Sequence, residues 1–375
     1  MEISYVLPVR SERPLLDGEL TAYLRRVAGW AEVLVVDGSA PAVFAAHAAA
    51  WGTFARHLPV DQGAATPNGK VGGVLTGIRH ARHERVVVAD DDVRYGQAAL
   101  RAVAAALDTA HVVRPQNVFA PLPWHARWDT GRILLNRVLG GDWPGTLAVR
   151  RSALLATGGY DGSVLFENLE LVRTVVAAGG REALRDDVFV VRRPSSTRHF
   201  LGQRVRQAYD ELARPGRLAA QLAVVPAVAA LVAGRRWGAL AAAAAGVAAL
   251  AEAGRRKHGA HRVFPPSATL LAPCWLLERG VCSWVAVGSR LLKGGVGYRG
   301  NVLARAATPM AELRRRHAGA LDRLAPTAPP HHRPLATTAA SSSVPASPPG
   351  EACTESALQS SNRHRRNASP HQQSR

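Results

Sequence analysis

Between residues 1 and about 200, short β-branched apolar runs alternate with stretches whose apolar positions recur every three or four residues. Ile3 to Val9, Val33 to Val36 and Val86 to Ala89 read as strands. Leu20 to Ala28, Ala42 to Trp51, Val71 to Arg82 and Ala98 to Leu107 read as helices, and His111 to Arg114 as a short strand. A strand buried on both faces is a continuous apolar run, and strands that alternate with helices build a mostly parallel sheet covered on both sides. The expected fold class is α/β and Rossmann-like, over residues 1–210.

The pattern changes after about residue 215. Leu218 to Ala233 is apolar apart from Gln221, Gly234-Arg235-Arg236 interrupts it, and Trp237 to Ala251 is apolar again. Each run is about 15 to 17 residues, short of the roughly 20 that span a bilayer. Two buried soluble helices would give the same runs. A third apolar stretch, Ala268 to Val287, favours a membrane hairpin over residues 211–305. Glu278-Arg279 in its middle is costly in lipid, so this stretch is expected to be re-entrant, interfacial, or a span whose charges face protein. Arg214, Arg217, Arg255 and Arg256 put the catalytic side in the cytoplasm by the positive-inside rule, and Arg235 and Arg236 oppose it. Residues 306–375 form a basic, largely disordered tail, poor in large apolar residues from about Pro326.

Composition narrows the class. Three cysteines, Cys274, Cys282 and Cys353, make neither a disulfide framework nor a cysteine zinc site. The formal charge of +19 suits nucleic acid or an anionic membrane. Only three of the 47 basic residues are lysine, and arginine with alanine richness speaks for genome composition rather than specific nucleic-acid binding. The opening Glu2-Ile3-Ser4-Tyr5-Val6-Leu7 reads as a strand and not as a signal peptide.

The chemistry concentrates at strand ends. Val86-Val87-Val88-Ala89 empties into Asp90-Asp91-Asp92, and α/β sheets bind ligands at the carboxyl ends of their strands. Adjacent acids there attract a hard cation, Mg2+ or Mn2+, which also takes phosphate oxygens. Asp37 ends the second strand, where it is placed to accept hydrogen bonds from a base or ribose, or simply to make an Asp-Gly turn. Gly63 to Lys70 fails as a phosphate loop, because five residues separate its glycines and Val71 stands where Ser or Thr is needed. Lys70 at a helix N-terminus still suits a diphosphate. Glu167 and Glu170 lie three apart, on one helix face, as candidate general bases or as dipole-favoured acids. Gln203, Arg204 and Arg206 precede the apolar hairpin and suit phosphate or lipid headgroups.

In this order the motifs resemble the family 2 glycosyltransferases of the GT-A fold, in their membrane-associated branch, over roughly residues 1 to 305. The resemblance rests on Val6-Leu7-Pro8-Val9, Val35-Val36-Asp37-Gly38-Ser39, Asn68-Gly69-Lys70, Asp90-Asp91-Asp92, Gly158-Gly159-Tyr160, Phe166 to Leu171, Gln203 to Arg206 and Tyr298-Arg299-Gly300. It implies that Asp37 contacts the nucleoside of a nucleoside-diphosphate sugar, that Asp90 and Asp92 are the ends of a DxD motif holding Mn2+ or Mg2+, and that Gln203, Arg204 and Arg206 hold diphosphate or acceptor. It implies inverting transfer to a lipid or polyprenyl acceptor at the cytoplasmic face of the cell membrane. Two positions depart from the family. Asn168 replaces the acid of a Glu-Asp pair, which leaves Glu167 or Glu170 as base. Gln207 replaces a tryptophan, which speaks for a single transfer rather than processive synthesis. The alternatives are an inactive GT-A-like membrane scaffold or sugar-nucleotide binder, and a nucleotidyltransferase, which the Gln-Arg segment opposes.

Overall fold

A computed structural model describes residues 2–16, 18–298 and 301–322. Strands β1 (Ile3–Val9), β2 (Glu32–Asp37), β3 (Arg56–Pro59) and β4 (Arg85–Ala89) pair in parallel in the order β3-β2-β1-β4. β7 (Thr146–Arg150) runs antiparallel to both β4 and β6 (Val112–Phe119). β8 (Glu182–Arg192) is parallel to β6, and the two-residue β5 (Val93–Arg94) pairs antiparallel with it. The class is α/β with a mostly parallel sheet, as the alternating pattern implies.

Successive side chains of a strand point to opposite faces, and both faces are covered. Ile3, Tyr5, Leu7 and Val9 pack with Leu20 and Leu24 of α1 (Gly18–Ala28), Trp51 of α2 (Pro41–Trp51) and Leu100 of α4 (Gln97–Ala106). Val6, Leu34, Val86 and Val88 pack with Val74 and Ile78 of α3 (Gly69–His80) and with Leu171 and Val175 of α7 (Glu167–Ala177). Each such buried Val or Leu stabilises the fold by about 1.5–3 kcal/mol. Gly73 and Gly77 let α3 lie against β1, since a Cβ at these positions would stand 2.8 Å from Pro8 Cβ and 2.3 Å from Val6 Cγ1.

The differences from the sequence pattern have local causes. α3 begins at Gly69 rather than Val71, so Lys70 sits in its first turn. β6 runs for eight residues, past an irregularity between Pro115 and Gln116, and its buried Gln116 and Asn117 disguise it as a loop. Helix α5 (Trp124–Val138) escaped the pattern because its inward face carries Asp129, Asn136 and Arg137 among its apolar residues. Residues 306–322, expected to begin a disordered tail, are folded. Ala306, Ala307 and Thr308 are buried, Leu313 of α13 (Met310–His317) is buried, and Ala320 and Leu321 pack with Ala153 of the short α6 (Arg151–Ala156). Arg299, Gly300 and the chain from 323 onward lie outside the described residues.

Among the described residues, three helices are long and apolar enough to cross a membrane: α10 (Pro215–Ala233), α11 (Trp237–Arg256) and α12 (Pro266–Lys293). They differ in burial. The apolar windows of α10 and α11 are 6% and 11% buried, that of α12 33%. Ala268 and Ala272 of α12 press on α5, where a Cβ on Gly131 would meet Ala272 Cα at 3.1 Å. Further along, Ala286 packs with Tyr209 and with Leu303 of the β9 (Val296–Tyr298) and β10 (Asn301–Leu303) hairpin. Glu278 and Arg279 face protein, one of the expected outcomes, while Leu270, Cys274, Leu277, Val281 and Trp284 line the exposed side. Fully buried Arg137 fastens α5 to this region by donating to the carbonyls of Gly254 and Lys257 at 2.8 and 2.7 Å.

Candidate active site

The buried β4 strand ends at the acidic triplet, and hydrogen bonds fix the turn that follows. The amide of Asp90 donates to Gly145 O at 2.9 Å, and Asp92 O accepts from the Arg193 amide at 2.7 Å. Gly145 is required here, because a Cβ on it would stand 2.6 Å from Asp90 Oδ2. Lys70, from the first turn of α3, reaches Asp90 Oδ1 at 2.5 Å and Glu167 Oε1 at 2.6 Å. Burial pulls its ammonium pKa down, but Asp90 and Glu167 outweigh this and hold it above the ordinary value. Arg192, at the end of β8, donates to Asp92 Oδ2 at 2.8 Å and lies 3.7 Å from Asp90 Oδ2. Asp92 Oδ1 is buried and has no hydrogen-bond partner.

This acidic wall separates two clefts. The first, of about 560 Å³, lies between Pro8 to Arg10 after β1, Gly38 after β2 and the N-terminus of α3. The second, of about 270 Å³, runs from Trp143 to Gly145 and Phe166 to Asn168 toward Trp275 and Arg279 of α12. Asp90, Asp92, Glu167, Arg192, His199 and Arg206 border both. His199 comes from α8 (Thr197–Gly202) and Arg206 from α9 (Arg204–Tyr209).

The remaining residues singled out in the sequence take different places. Gln203 borders the second cleft and accepts from Arg206 Nη1 at 2.7 Å. Arg204, their neighbour, borders neither cleft. It is buried, donates to Glu278 at 2.9 Å and to Asp129 at 3.1 Å, and lies over the Phe200 ring. It therefore ties α9 to α5 and α12 rather than facing a ligand. Glu170 is also behind the wall, fully buried, accepting from the Thr308 amide at 2.7 Å. Burial raises its carboxyl above the ordinary range, against that hydrogen bond. Asn168 borders the second cleft and donates to Pro144 O at 3.0 Å, which steadies the segment before β7.

Asp37, expected to touch a nucleoside, lies behind the first cleft at 2% exposure. Its carboxylate accepts from the Ser39 amide at 2.8 Å, and meets His47 Nδ1 at 2.6 Å and His57 Nε2 at 3.1 Å. Burial pushes its pKa up, but the bonds from Ser39, His47 and His57 prevail and hold it below the ordinary value. The three side chains bring metal-ligand-type atoms within 4.8 Å of one another. His47 Nε2, however, accepts from the Leu15 amide at 2.8 Å, so the ring hydrogen is assigned to Nδ1 and points at Asp37. The cluster is thus a hydrogen-bonded brace for the Gly38-Ser39 turn that edges the cleft.

Several bordering residues escaped the sequence reading. Arg192 ends the apolar run Val188 to Val191, the same strand-end signal that marks Asp90, and was legible in principle. Asp210, in a short turn (Asp210–Ala213) after α9, carries no such signal. It borders the second cleft, and its Oδ1 is buried without a hydrogen-bond partner. Burial pushes its carboxyl up to about 7. Arg206 and Arg214 pull it down, while Glu167 and Glu211 push it further up.

No protein-family model matches the chain, and no curated protein matches it. Among solved structures it is similar to mannosyltransferase PcManGT from Pyrobaculum calidifontis in complex with GDP-Man and Mn2+. The identity is 21% over 78% of this chain and 87% of that one, with a TM-score of 0.47. It is similar to S. aureus TarS 1-349 in complex with UDP-GlcNAc at 14% identity, over 54% of this chain and 61% of that one, with a TM-score of 0.37. Glucosyl-3-phosphoglycerate synthase from Mycobacterium tuberculosis matches at 19% identity, over 52% and 74%, with a TM-score of 0.37. Likenesses at this level add nothing to the reading of the site, which rests on its own geometry.

Proposed function

We propose that this chain is a metal-dependent, inverting glycosyltransferase of the family 2, GT-A kind. It moves a sugar from a nucleoside-diphosphate donor to a lipid-type or polyprenyl acceptor at the cytoplasmic membrane face. The observation that carries the reading is one acidic wall shared by two clefts. The first cleft lies at strand carboxyl ends and a helix N-terminus, the setting that suits a diphosphate. The second runs to α12, one of three helices with the length and apolarity of a membrane segment. A water-soluble donor and an apolar acceptor would meet at the wall between them.

The wall fits a divalent cation. Asp92 Oδ1 is buried and unpartnered, and hard cations take carboxylate and phosphate oxygens. Asp90 and Asp92 would hold Mn2+ or Mg2+, which when bound neutralises charge on a leaving diphosphate. Lys70 and Arg192 add fixed positive charge at the same place, and preorganised charge of this kind stabilises a developing anion. Gln203 and Arg206 flank the passage into the second cleft. Attack from that cleft, on a donor whose diphosphate occupies the first, displaces the leaving group from the opposite face and inverts the anomeric carbon. Asn168 favours a second reading, an inactive sugar-nucleotide binder.

The test uses membranes from cells expressing the protein, a panel of labelled UDP-, GDP- and dTDP-sugars, Mn2+, and lipid extraction. Label in the lipid phase that is lost with EDTA and with Asp92→Ala is expected. Metal-dependent nucleotide binding without transfer supports the binder. Neither label nor binding refutes both readings.

A further inference from the structure

A transferase whose acceptor is a hydroxyl needs a base on the acceptor side, and the residues expected to supply it are unsuited to the task. Asn168 cannot take a proton. Glu170 is sealed behind the wall and bound to the Thr308 amide. Glu167 is committed to Lys70 at 2.6 Å. That oxygen is thereby occupied by the Lys70 ammonium and is not free to receive an acceptor hydroxyl.

We propose that Asp210 is the general base of the transfer, and that the group it deprotonates is an acceptor hydroxyl rather than a phosphate oxygen. This rests on the glycosyl-transfer reading above. Asp210 borders the second cleft, the acceptor side, together with Glu167, Arg206 and Gln203. Its buried Oδ1 has no hydrogen-bond partner. A buried polar atom left unpaired is costly, and a bound hydroxyl would satisfy it. The charged groups around it are Arg206 on α9, Arg214 and Glu211 on its own turn, Glu167 on α7, and Arg217 on α10, which pairs with Glu211 at 3.4 Å.

The step balances without a further reactant. The acceptor O–H proton passes to the Asp210 carboxylate as the acceptor oxygen bonds the anomeric carbon. The bond from that carbon to the diphosphate oxygen breaks, and its electron pair leaves with the nucleoside diphosphate. Asp210 then returns the proton to water. A base that titrates near the working pH is the effective kind, and burial holds Asp210 at about 7. A phosphate monoester, with a second pKa near 6, is already ionised at neutral pH. It needs no base, and a carboxylate facing it would repel it.

The sign of the pH dependence follows. Asp210 acts only when ionised, so transfer is present above about 7 and falls as the pH drops through that value. The experiment compares full-length wild type, Asp210→Asn and Asp210→Glu in membranes. It reads kcat and donor KM across pH and the behaviour of the lipid product in mild acid. Asp210→Asn is expected to lose about 100-fold or more in kcat with donor KM unchanged, and to lose the rising limb. Asp210→Glu is expected to regain part of the rate with a displaced limb. The product is expected to survive mild acid, as a glycoside does and a glycosyl phosphate does not. Nucleotide binding by Asp210→Asn equal to wild type excludes misfolding as the cause. Retention of rate and limb in Asp210→Asn, or release of sugar in mild acid, overturns the proposal. A wild type that transfers nothing from any donor overturns the transfer reading, and this proposal with it.

Discussion

Lys70→Met removes the charged ammonium and keeps an unbranched stem up to the ε position, so it isolates what the ammonium does in the acidic wall. Lys70 Nζ bridges Asp90 at 2.5 Å and Glu167 at 2.6 Å, with all three side chains between 13% and 24% exposed. Without it, the two carboxylate oxygens face each other no more than about 5 Å apart, given the 2.5 and 2.6 Å legs of the bridge. At an effective dielectric of about 20 that repulsion is about 3 kcal/mol, and partial exposure screens it toward 2 kcal/mol or so. Arg192 would then still pair with Asp90 and Asp92, while Glu167 would lose its bond to Lys70. For a domain of this size about 2–4 °C accompanies each kcal/mol, so the melting temperature is expected to fall by roughly 4–8 °C. A divalent cation should replace part of the lost charge. The assay is thermal unfolding of the purified full-length protein in detergent, followed by tryptophan fluorescence, in EDTA and in millimolar Mn2+. Lys70→Met should be less stable in EDTA and should gain more from Mn2+ than the wild type does. If it melts with the wild type and gains no more from Mn2+, the bridge carries no load and the wall is not the cation site.

The two glutamates of α7 should separate cleanly: Glu167→Gln is expected to lower transfer strongly, and Glu170→Gln to leave transfer intact, because Glu170 borders neither cleft. Arg204→Met leaves Glu278 and Asp129 short of a partner, and breaking a buried pair costs about 3–5 kcal/mol. It should lower folded yield, whereas Arg206→Ala should keep its melting temperature and lose transfer. Unaltered yield of Arg204→Met would show that the pairing does not hold α9 to α12. Cys274 sits on the exposed face of α12. With Cys282 and Cys353 changed to serine, it should resist a water-soluble maleimide in membranes and react after detergent extraction, and equal reaction in both would place this face in water.

The amino-acid sequence by itself determined the layers and the position of the acidic triplet at the carboxyl end of a strand. Period-two and period-3.6 patterns are local, and burial on both sheet faces writes β1, β2 and β4 as unbroken apolar runs. The carboxyl end of such a run must leave the sheet at a ligand-facing edge, which is why Asp90 and Asp92 were legible, and why Arg192 was legible in principle. What only the tertiary structure decided is which neighbours in sequence share a cleft. Glu167 and Glu170 share a helix face, yet one meets Lys70, 97 positions away, and the other meets Thr308. Gln203, Arg204 and Arg206 lie within four residues of one another. The rotation of a helix sends Arg204 inward to Glu278, 74 positions away, and leaves the other two bordering the second cleft. Buried polar pairs carry no periodic signal. Each side chain looks solvent-exposed in its own segment, and its burial is stabilised only by a partner that folding brings from far along the chain. Asp210 shows the converse, for its pKa is raised chiefly by burial and further by Glu167 of α7, against the pull of Arg206, and no local pattern encodes a missing partner.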